Sequence, residues 1–112
     1  MNILGTYCGA TLINKNNSIE TNVKNNIKLE YYSIEEQIYT ESETTTLYGV
    51  SILKKEYSKH KVKCERSSVQ KVSTNKNTVM NIIRVLKNCK VTPTTLEYVL
   101  EDLLKQESYE IA

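Results

Sequence analysis

The clearest pattern in the chain is the helical spacing of apolar residues between positions 73 and 106. In its second half, Thr92 and Pro93 mark a helix start, because threonine can cap an N-terminus and proline is tolerated in the first turn. The apolar residues that follow recur every three or four positions and therefore share one face. They are Leu96, Val99, Leu100, Leu103 and Leu104. This pattern predicts an amphipathic helix over about 93–106.

The first half of the same stretch predicts another helix, over about 75–90, that is apolar around more of its circumference. Its apolar residues are Val79, Met80, Ile82, Ile83, Val85, Leu86 and Cys89. A helix of this composition needs cover on two sides, so we expect it to lie between a sheet and the second helix. A turn at Cys89–Thr92 joins the two helices.

Upstream of the helices, apolar and polar residues alternate with period two, which predicts β-strands. The predicted strands cover about 27–34, 46–56 and 61–67. Gly49 lies inside the second of them and indicates a bulge or a close backbone approach. The predicted fold class is α+β: an antiparallel three-stranded meander followed by a C-terminal two-helix hairpin packed on one face.

Residues 1–26 precede this single predicted domain, which spans 27–107. The Asn-rich segment 14–26 follows a short apolar N-terminus and contains a short run of strand-forming residues at Ile19–Val23. We expect residues 1–26 to be a flexible lead-in with marginal strand content. If Ile19–Val23 does pair, the meander has four strands.

Four segments carry a resemblance to other proteins: LEYYSIEEQIY at 29–39, TLYGVSILKKE at 46–56, VQKVS at 69–73 and VTPTTLEYVLEDLL at 91–104. Through them, the chain from Ile27 to Leu104 resembles a family of small proteins of unknown function from clostridial spore-forming bacteria. The resemblance implies a shared fold and lineage. It implies no activity and no catalytic motif.

Composition indicates an aliphatic core, because the chain has eight Tyr but no Phe and no Trp. No apolar run approaches the roughly 20 residues of a membrane span, and residues 1–13 lack the basic start of a signal peptide. The three cysteines are odd in number and form no C-x-x-C motif. We therefore expect a cytoplasmic protein with reduced thiols and no contact with a membrane.

Candidate metal and catalytic residues are few. Cys8, His60, Cys64 and Cys89 match no common zinc module, and we expect no metal and no cofactor. Cys89 is expected to be a small core residue of the first helix. The single histidine and the single aspartate, Asp102, form no recognisable catalytic motif, and the glycines are isolated. We expect no enzymatic activity.

Charge is unevenly distributed along the chain. Residues 54–90 contain eleven Lys and Arg against two Glu, whereas the stretches 27–53 and 91–112 are both acidic. One interpretation is that basic and acidic elements neutralise each other in the fold. The other is a basic interaction patch. Its candidate residues are Lys54, Lys55, Lys59, Lys61, Lys63 and Arg66.

The helix pair does not fit a DNA-reading helix-turn-helix, because the second helix exposes Glu97, Glu101 and Asp102 to phosphates. We expect a non-enzymatic protein-interaction or regulatory module with another protein as partner. The alternative is a nucleic-acid-associated accessory factor that uses the basic 54–90 segment, acting with a DNA-bound recombinase or transcription protein. No pattern in the sequence indicates the oligomeric state.

Overall fold

The computed structural model describes the backbone of residues 3–14 and 25–111, and the side chains of 3–14 and 25–105. Four strands are followed by two helices: β1 (Ile3–Ile13), β2 (Asn26–Tyr39), β3 (Thr44–Tyr57), β4 (Val62–Ser73), α1 (Lys76–Asn88) and α2 (Leu96–Ile111). The strands form one antiparallel sheet in the order β1-β2-β3-β4. The α+β class and the meander followed by two C-terminal helices are confirmed, with four strands.

The fourth strand is β1, which occupies part of the segment for which the sequence predicts a flexible lead-in. It pairs with β2 from Ile3 opposite Glu36 to Ile13 opposite Ile27. Its glycines and threonines interrupt the alternation of apolar and polar residues, so the sequence pattern alone does not predict a strand. Pairing with β2 stabilises the strand through ladder hydrogen bonds. These bonds join residues that are distant in sequence, so a local pattern does not show them. The alternative strand Ile19–Val23 lies outside the described residues.

The other elements differ from their predicted bounds mainly at the ends. The strand predicted to end at 34 continues to Tyr39, and the one predicted to end at 67 continues to Ser73. In both cases pairing with β3 extends the strand through polar residues: Tyr39 lies opposite Thr44, and Ser73 lies opposite Tyr48. The helices are predicted at 75–90 and 93–106 and lie at 76–88 and 96–111.

The core lies between the helices and one face of the sheet. The sheet contributes four fully or almost fully buried side chains, Leu29 and Tyr31 from β2, and Val50 and Ile52 from β3. The helices and the turn between them cover this surface with Val79, Ile82, Ile83, Leu86, Val91, Leu96 and Leu100. Burial of each aliphatic side chain contributes roughly 1.5–3 kcal/mol before the entropy of ordering is subtracted.

The turn between the helices is attached to the centre of the sheet by Tyr31. The buried Tyr31 hydroxyl donates a hydrogen bond to the carbonyl oxygen of Val91 at 2.9 Å. Burial, followed by the nearby Cys89 thiol, raises the pKa of Tyr31 to about 12. The hydrogen bond pairs a buried hydroxyl with a buried carbonyl, and so removes the cost of desolvating either group alone.

Both ends of α1 are capped locally. The Asn75 side chain accepts hydrogen bonds from the amides of Asn77 and Thr78, as an N-cap does. At the other end, the Val91 amide donates to the Leu86 carbonyl at 2.9 Å while Lys90 adopts a left-handed φ of 54°. This Schellman arrangement turns the chain toward α2.

Two residues of the apolar circumference predicted for α1 are not buried. Val85 and Cys89 are exposed, so the expectation that Cys89 is a core residue is wrong. The prediction fails because α1 is buried chiefly against the sheet, through Val79, Ile82, Ile83 and Leu86. In α2, by contrast, Leu96 and Leu100 are buried as predicted, and Val99, Leu103 and Leu104 pack partly buried beside them.

Gly49 marks a close backbone approach, as predicted. A Cβ at this position would collide with the carbonyl oxygen of Val69 on β4. The approach occurs where β4 bulges, because Val69 pairs with Val50 but the next pair joins Ser73 to Tyr48. Lys71 lies in this bulge with a left-handed φ of 57°. The bulge brings the Lys71 side chain toward β2.

Candidate interaction face

The sheet face that points away from the core is not covered by any element of the described residues, and we call it the open face. Its side chains alternate along each strand with those that face the core. Strand β1 contributes Ile3, Tyr7 and Leu12; β2 contributes Lys28, Glu30, Tyr32, Ile34 and Glu36; β3 contributes Leu47, Ser51, Leu53, Lys55 and Tyr57; β4 contributes Val62, Cys64, Arg66 and Ser68.

Glu30 is the centre of a polar cluster on this face. Its residue is only 7% exposed, and its carboxylate lies 3.2 Å from Lys55 Nζ and 3.5 Å from Lys28 Nζ. The Tyr32 hydroxyl donates a third contact at 3.1 Å. Burial alone would raise the pKa of Glu30, but the hydrogen bonds from Lys55 and Tyr32 and the charge of Lys55 outweigh it and hold the pKa below its ordinary value.

Two tyrosines and an arginine stack beside this cluster. The rings of Tyr7 and Tyr32 meet edge to face, with centroids 5.6 Å apart. The Arg66 guanidinium carbon lies 5.9 Å from the centroid of the Tyr32 ring, within the range of a cation–π contact. Burial, and then the hydrogen bond to Glu30, raises the pKa of Tyr32. The three side chains come from β1, β2 and β4 and form a continuous patch.

Glu36 has a different environment on the same strand. The residue is 4% exposed, and neither carboxylate oxygen has a hydrogen-bond partner among the described residues. Its nearest cation is Lys71, whose Nζ lies 3.9 Å from Oε1. In the register of the sheet, Glu36 lies opposite Ile3 on one side and Leu47 on the other. A carboxylate buried between such neighbours without hydrogen bonds lowers stability.

Exposed apolar side chains surround the charged centre of the open face. Those between 40% and 58% exposed are Ile3, Tyr7, Leu12, Tyr57 and Val62. Exposed apolar side chains around a cationic and aromatic centre make this sheet face a candidate interaction surface.

The basic residues proposed from the sequence do not share one surface. Lys55 and Arg66 lie on the open face, whereas Lys54 and Lys63 lie on the helix side of the same strands, in line with the alternation of β3 and β4. The remaining two, Lys59 and Lys61, lie in or beside the turn between these strands. Two of the six predicted basic residues form ion pairs, Lys54 with Glu65 at 4.0 Å and Lys55 with Glu30 at 3.2 Å.

Lys28, Glu30, Glu36 and Tyr7 belong to this surface but are not among the residues predicted from the sequence. The alternation in β2 places Lys28, Glu30 and Glu36 on one face and was a usable signal for them. Tyr7 carried no such signal, because its strand was not predicted.

The candidate catalytic and metal-binding residues are separated. His60 is exposed beside the β3–β4 turn, and Asp102 is exposed on α2. Cys8 is partly buried, Cys64 and Cys89 are exposed, and none of the three is in a disulfide. Within the described part of the chain, no three His, Cys, Asp or Glu side chains are grouped so that they could hold a metal ion.

Among the described residues, no helix combines the length and the apolar character needed to cross a membrane. No curated protein matches the chain, and no solved structure does. The model of one family, described as a family of unknown function (DUF6514), matches residues 10–106. That range takes in the part of β1 from Ala10 onward, together with the whole segment 27–104 on which the resemblance in the sequence rests. The chain therefore belongs to the family of unknown function DUF6514.

Proposed function

We propose that the chain is a non-enzymatic interaction module that binds a protein partner on the open face, through a partner segment that is both acidic and apolar. The observation that carries this proposal is the composition of the open face, which combines a cationic, aromatic centre with exposed apolar side chains.

The charge of the face favours an acidic partner. Four cations, Lys28, Lys55, Arg66 and Lys71, are opposed there by two carboxylates. Lys28 and Lys55 share the single carboxylate of Glu30, so the cluster keeps a positive excess. Complementary charge on a partner increases the association rate and selects against basic competitors.

The residue types at the centre support a protein interface. Tyr and Arg are enriched at the centres of interfaces, where their large side chains combine apolar area with hydrogen-bonding groups. Tyr7, Tyr32 and Arg66 have this character and already hold one another in place. The preformed arrangement reduces the entropy that binding must remove.

The Glu36 carboxylate, which is buried without a hydrogen bond among the described residues, also supports a function for this face. A buried polar group without a partner is rare in native structures, and violations of this kind are expected at functional positions. Glu36 and its neighbour Lys71 lie at the same face as the aromatic patch.

Binding of single-stranded nucleic acid is the second candidate. The observation in its favour is that exposed Tyr7 and Arg66 lie together on an open sheet, where bases can stack and phosphates can be neutralised. It ranks second because a phosphate backbone gains nothing from the exposed apolar side chains around this centre, and because the basic residues of β3 and β4 are divided between the two faces of the sheet. A DNA-bound recombinase or transcription protein would be a protein partner that also explains an association with nucleic acid.

We place the protein in the cytoplasm of a clostridial bacterium. Support comes from the three unbridged cysteines, which are typical of a reducing compartment, and from a composition rich in Asn, Lys, Ile and Tyr, which an AT-rich genome favours.

The proposal is tested by photo-crosslinking in the native host. A photoreactive residue replaces Leu12 on the open face, and the control carries it at Tyr98 on α2, which is 75% exposed. We expect one protein other than the chain itself to be captured from position 12 only. That protein is then purified and titrated against the wild-type chain and two charge reversals, Arg66→Glu and Lys105→Glu.

Arg66→Glu should weaken binding at least about tenfold, whereas Lys105→Glu on α2 should leave the affinity unchanged. Thermal melts of both variants confirm that they fold. Equal affinity of the two variants, or no saturable binding by the purified candidate, would rule out the open face as the binding surface. A crosslink that nuclease treatment removes would instead favour the nucleic-acid candidate.

A further inference from the structure

We infer that β1 pairs edge to edge with β1 of a second copy of the chain, so that two four-stranded sheets form one continuous sheet of eight strands. The inference rests on the outer edge of β1 and is independent of the partner proposed for the open face.

The two edges of the sheet differ in how they are protected. Strand β4 carries Lys63, Glu65, Arg66 and Lys71, and charged side chains on an edge strand help to prevent another strand from adding to it. Strand β1 has 11 residues and not one charged side chain. Among the described strands only β2 pairs with β1, so the outer backbone amides and carbonyls of β1 form an edge at which another strand can pair.

The exposed apolar side chains of β1 point to both sides of the sheet. Four of its large apolar residues, Ile3, Leu4, Tyr7 and Leu12, are between 47% and 61% exposed. Leu4 lies on the helix side, opposite Glu35, whereas the other three lie on the open face. A molecule that docks on the open face cannot reach Leu4. A strand added at the edge contacts both rows, because its own side chains alternate in the same way.

A second copy suits this edge better than a charged partner strand. A two-fold antiparallel pair brings each residue opposite a residue of the same strand, so the strand must be complementary to itself. Since β1 lacks charge, no register of such a pair opposes like charges. Apolar residues that face one another across the two-fold axis would cover area that each monomer exposes.

The bulge in β1 restricts the register in which β1 can pair with β1 of the second copy. Cys8 is the extra residue between the pairs of Tyr7 and Gly9, and Gly9 has a φ of 128°. The regular part of the edge is therefore Ile3–Tyr7, with Gly5 at its centre. A two-fold axis at Gly5 places Ile3 opposite Tyr7 of the second copy. An added Cβ at Gly5 meets no atom within 4 Å, so a monomer tolerates a side chain there.

The test is sedimentation equilibrium of the full chain over a wide concentration range. We expect a monomer–dimer equilibrium for the wild type and for Gly5→Thr, which adds an uncharged strand-forming side chain. Gly5→Lys should raise the dimer Kd at least about tenfold, because two ammonium groups meet at the axis. Tyr98→Lys, which adds the same charge on α2, should leave the Kd unchanged. Thermal melts at low concentration show that each variant folds.

Hydrogen exchange identifies the paired edge directly. Amides of Ile3–Tyr7 that point away from β2 should exchange more slowly as the protein concentration rises. A chain that stays monomeric at every concentration overturns the inference. So does a dimer that Gly5→Lys leaves intact, because another surface then forms it. Protection of these amides that does not depend on concentration overturns it as well, because another part of the same chain then covers the edge.

Discussion

Two buried glutamates on β2, Glu30 and Glu36, have opposite surroundings on the same face of the sheet. Glu30 has two lysines and a tyrosine hydroxyl within contact distance, whereas Glu36 has no hydrogen-bond partner among the described residues. An ionised carboxylate is stabilised in a buried position only by such partners. At the scale of single residues, Glu30 is therefore expected to contribute more to the free energy of unfolding than Glu36.

We expect Glu30→Gln to lower the free energy of unfolding at pH 7 by about 1 kcal/mol. This figure allows for the solvent screening of the partly exposed lysines that contact Glu30. The pKa of Glu30 is lower in the folded protein than its ordinary value of 4.5. Its ionised form therefore stabilises the fold above about pH 4.5, and this contribution disappears as the pH falls through the lower folded pKa. Urea unfolding of both proteins at pH 7 and pH 3 measures the difference, which should shrink at pH 3.

Glu36→Gln is the matched control for that experiment. Because its carboxylate accepts no hydrogen bond and its ion pair with the exposed Lys71 is long, at 3.9 Å, neutralising it should leave stability nearly unchanged at pH 7. A loss of stability equal to that of Glu30→Gln would show that Glu36 is as well partnered as Glu30, and would contradict the absence of hydrogen bonds to Glu36 among the described residues.

At the scale of elements, the two helices differ in how fully they are buried. The stripe of α2 lies on one side of the helix, with Leu96 and Leu100 buried and Glu97 and Glu101 exposed. In α1, the residues facing the sheet are buried while Val85 is exposed on the other side. The Tyr31–Val91 hydrogen bond holds the connection between these helices against the centre of the sheet.

We expect Leu100→Asp to lower the free energy of unfolding by about 3 kcal/mol or more, because it removes buried apolar volume and introduces an unpaired charge. Glu97→Ala, on the exposed face of the same helix, should change stability by less than about 0.5 kcal/mol. Thermal melts of the two variants measure the contrast. If both variants melted at the temperature of the wild type, the assignment of the α2 faces would be wrong.

At the scale of the whole molecule, the basic middle of the chain is divided by the fold. Lys54 and Lys63 lie on the helix side, Lys55 and Arg66 on the open face, and the net charge of the chain is only +2. The acidic residues that flank this segment in sequence become neighbours of some of these lysines, as Glu30 does for Lys55. The molecule therefore lacks a continuous surface formed by the six basic residues of the predicted patch.

We expect binding to duplex or single-stranded oligonucleotides to be detectable at low salt at most, and to be lost at physiological salt. Fluorescence anisotropy at both salt concentrations measures this. The double variant Lys61→Gln, Lys63→Gln should change stability by only a few tenths of a kcal/mol per site, as exposed charges do. Tight binding that survives physiological salt and is abolished by the double variant would contradict this prediction and favour the nucleic-acid candidate.

Local patterns predicted a large part of this fold. The apolar spacing of α2, the alternation in β2 and β3 and the isolated Gly49 each reflect a requirement that acts within a few residues, so each is visible in sequence. The class, the order of the elements after residue 26 and the buried stripe of Leu96 and Leu100 followed from them. Of the interaction face, only Lys55 and Arg66 were identified from sequence.

The remaining features depend on contacts between residues far apart in the chain. Strand β1 is recognisable as a strand only through its pairing with β2, and β4 reaches Ser73 only beside β3. Which side of α1 is buried depends on how it lies on the sheet, and this leaves Val85 and Cys89 exposed. The register of β2, β3 and β4 decides that Lys55 lies beside Glu30 and that Arg66 lies beside Tyr32. Periodicity shows that two faces exist, but pairing between strands determines which side chains meet on each face.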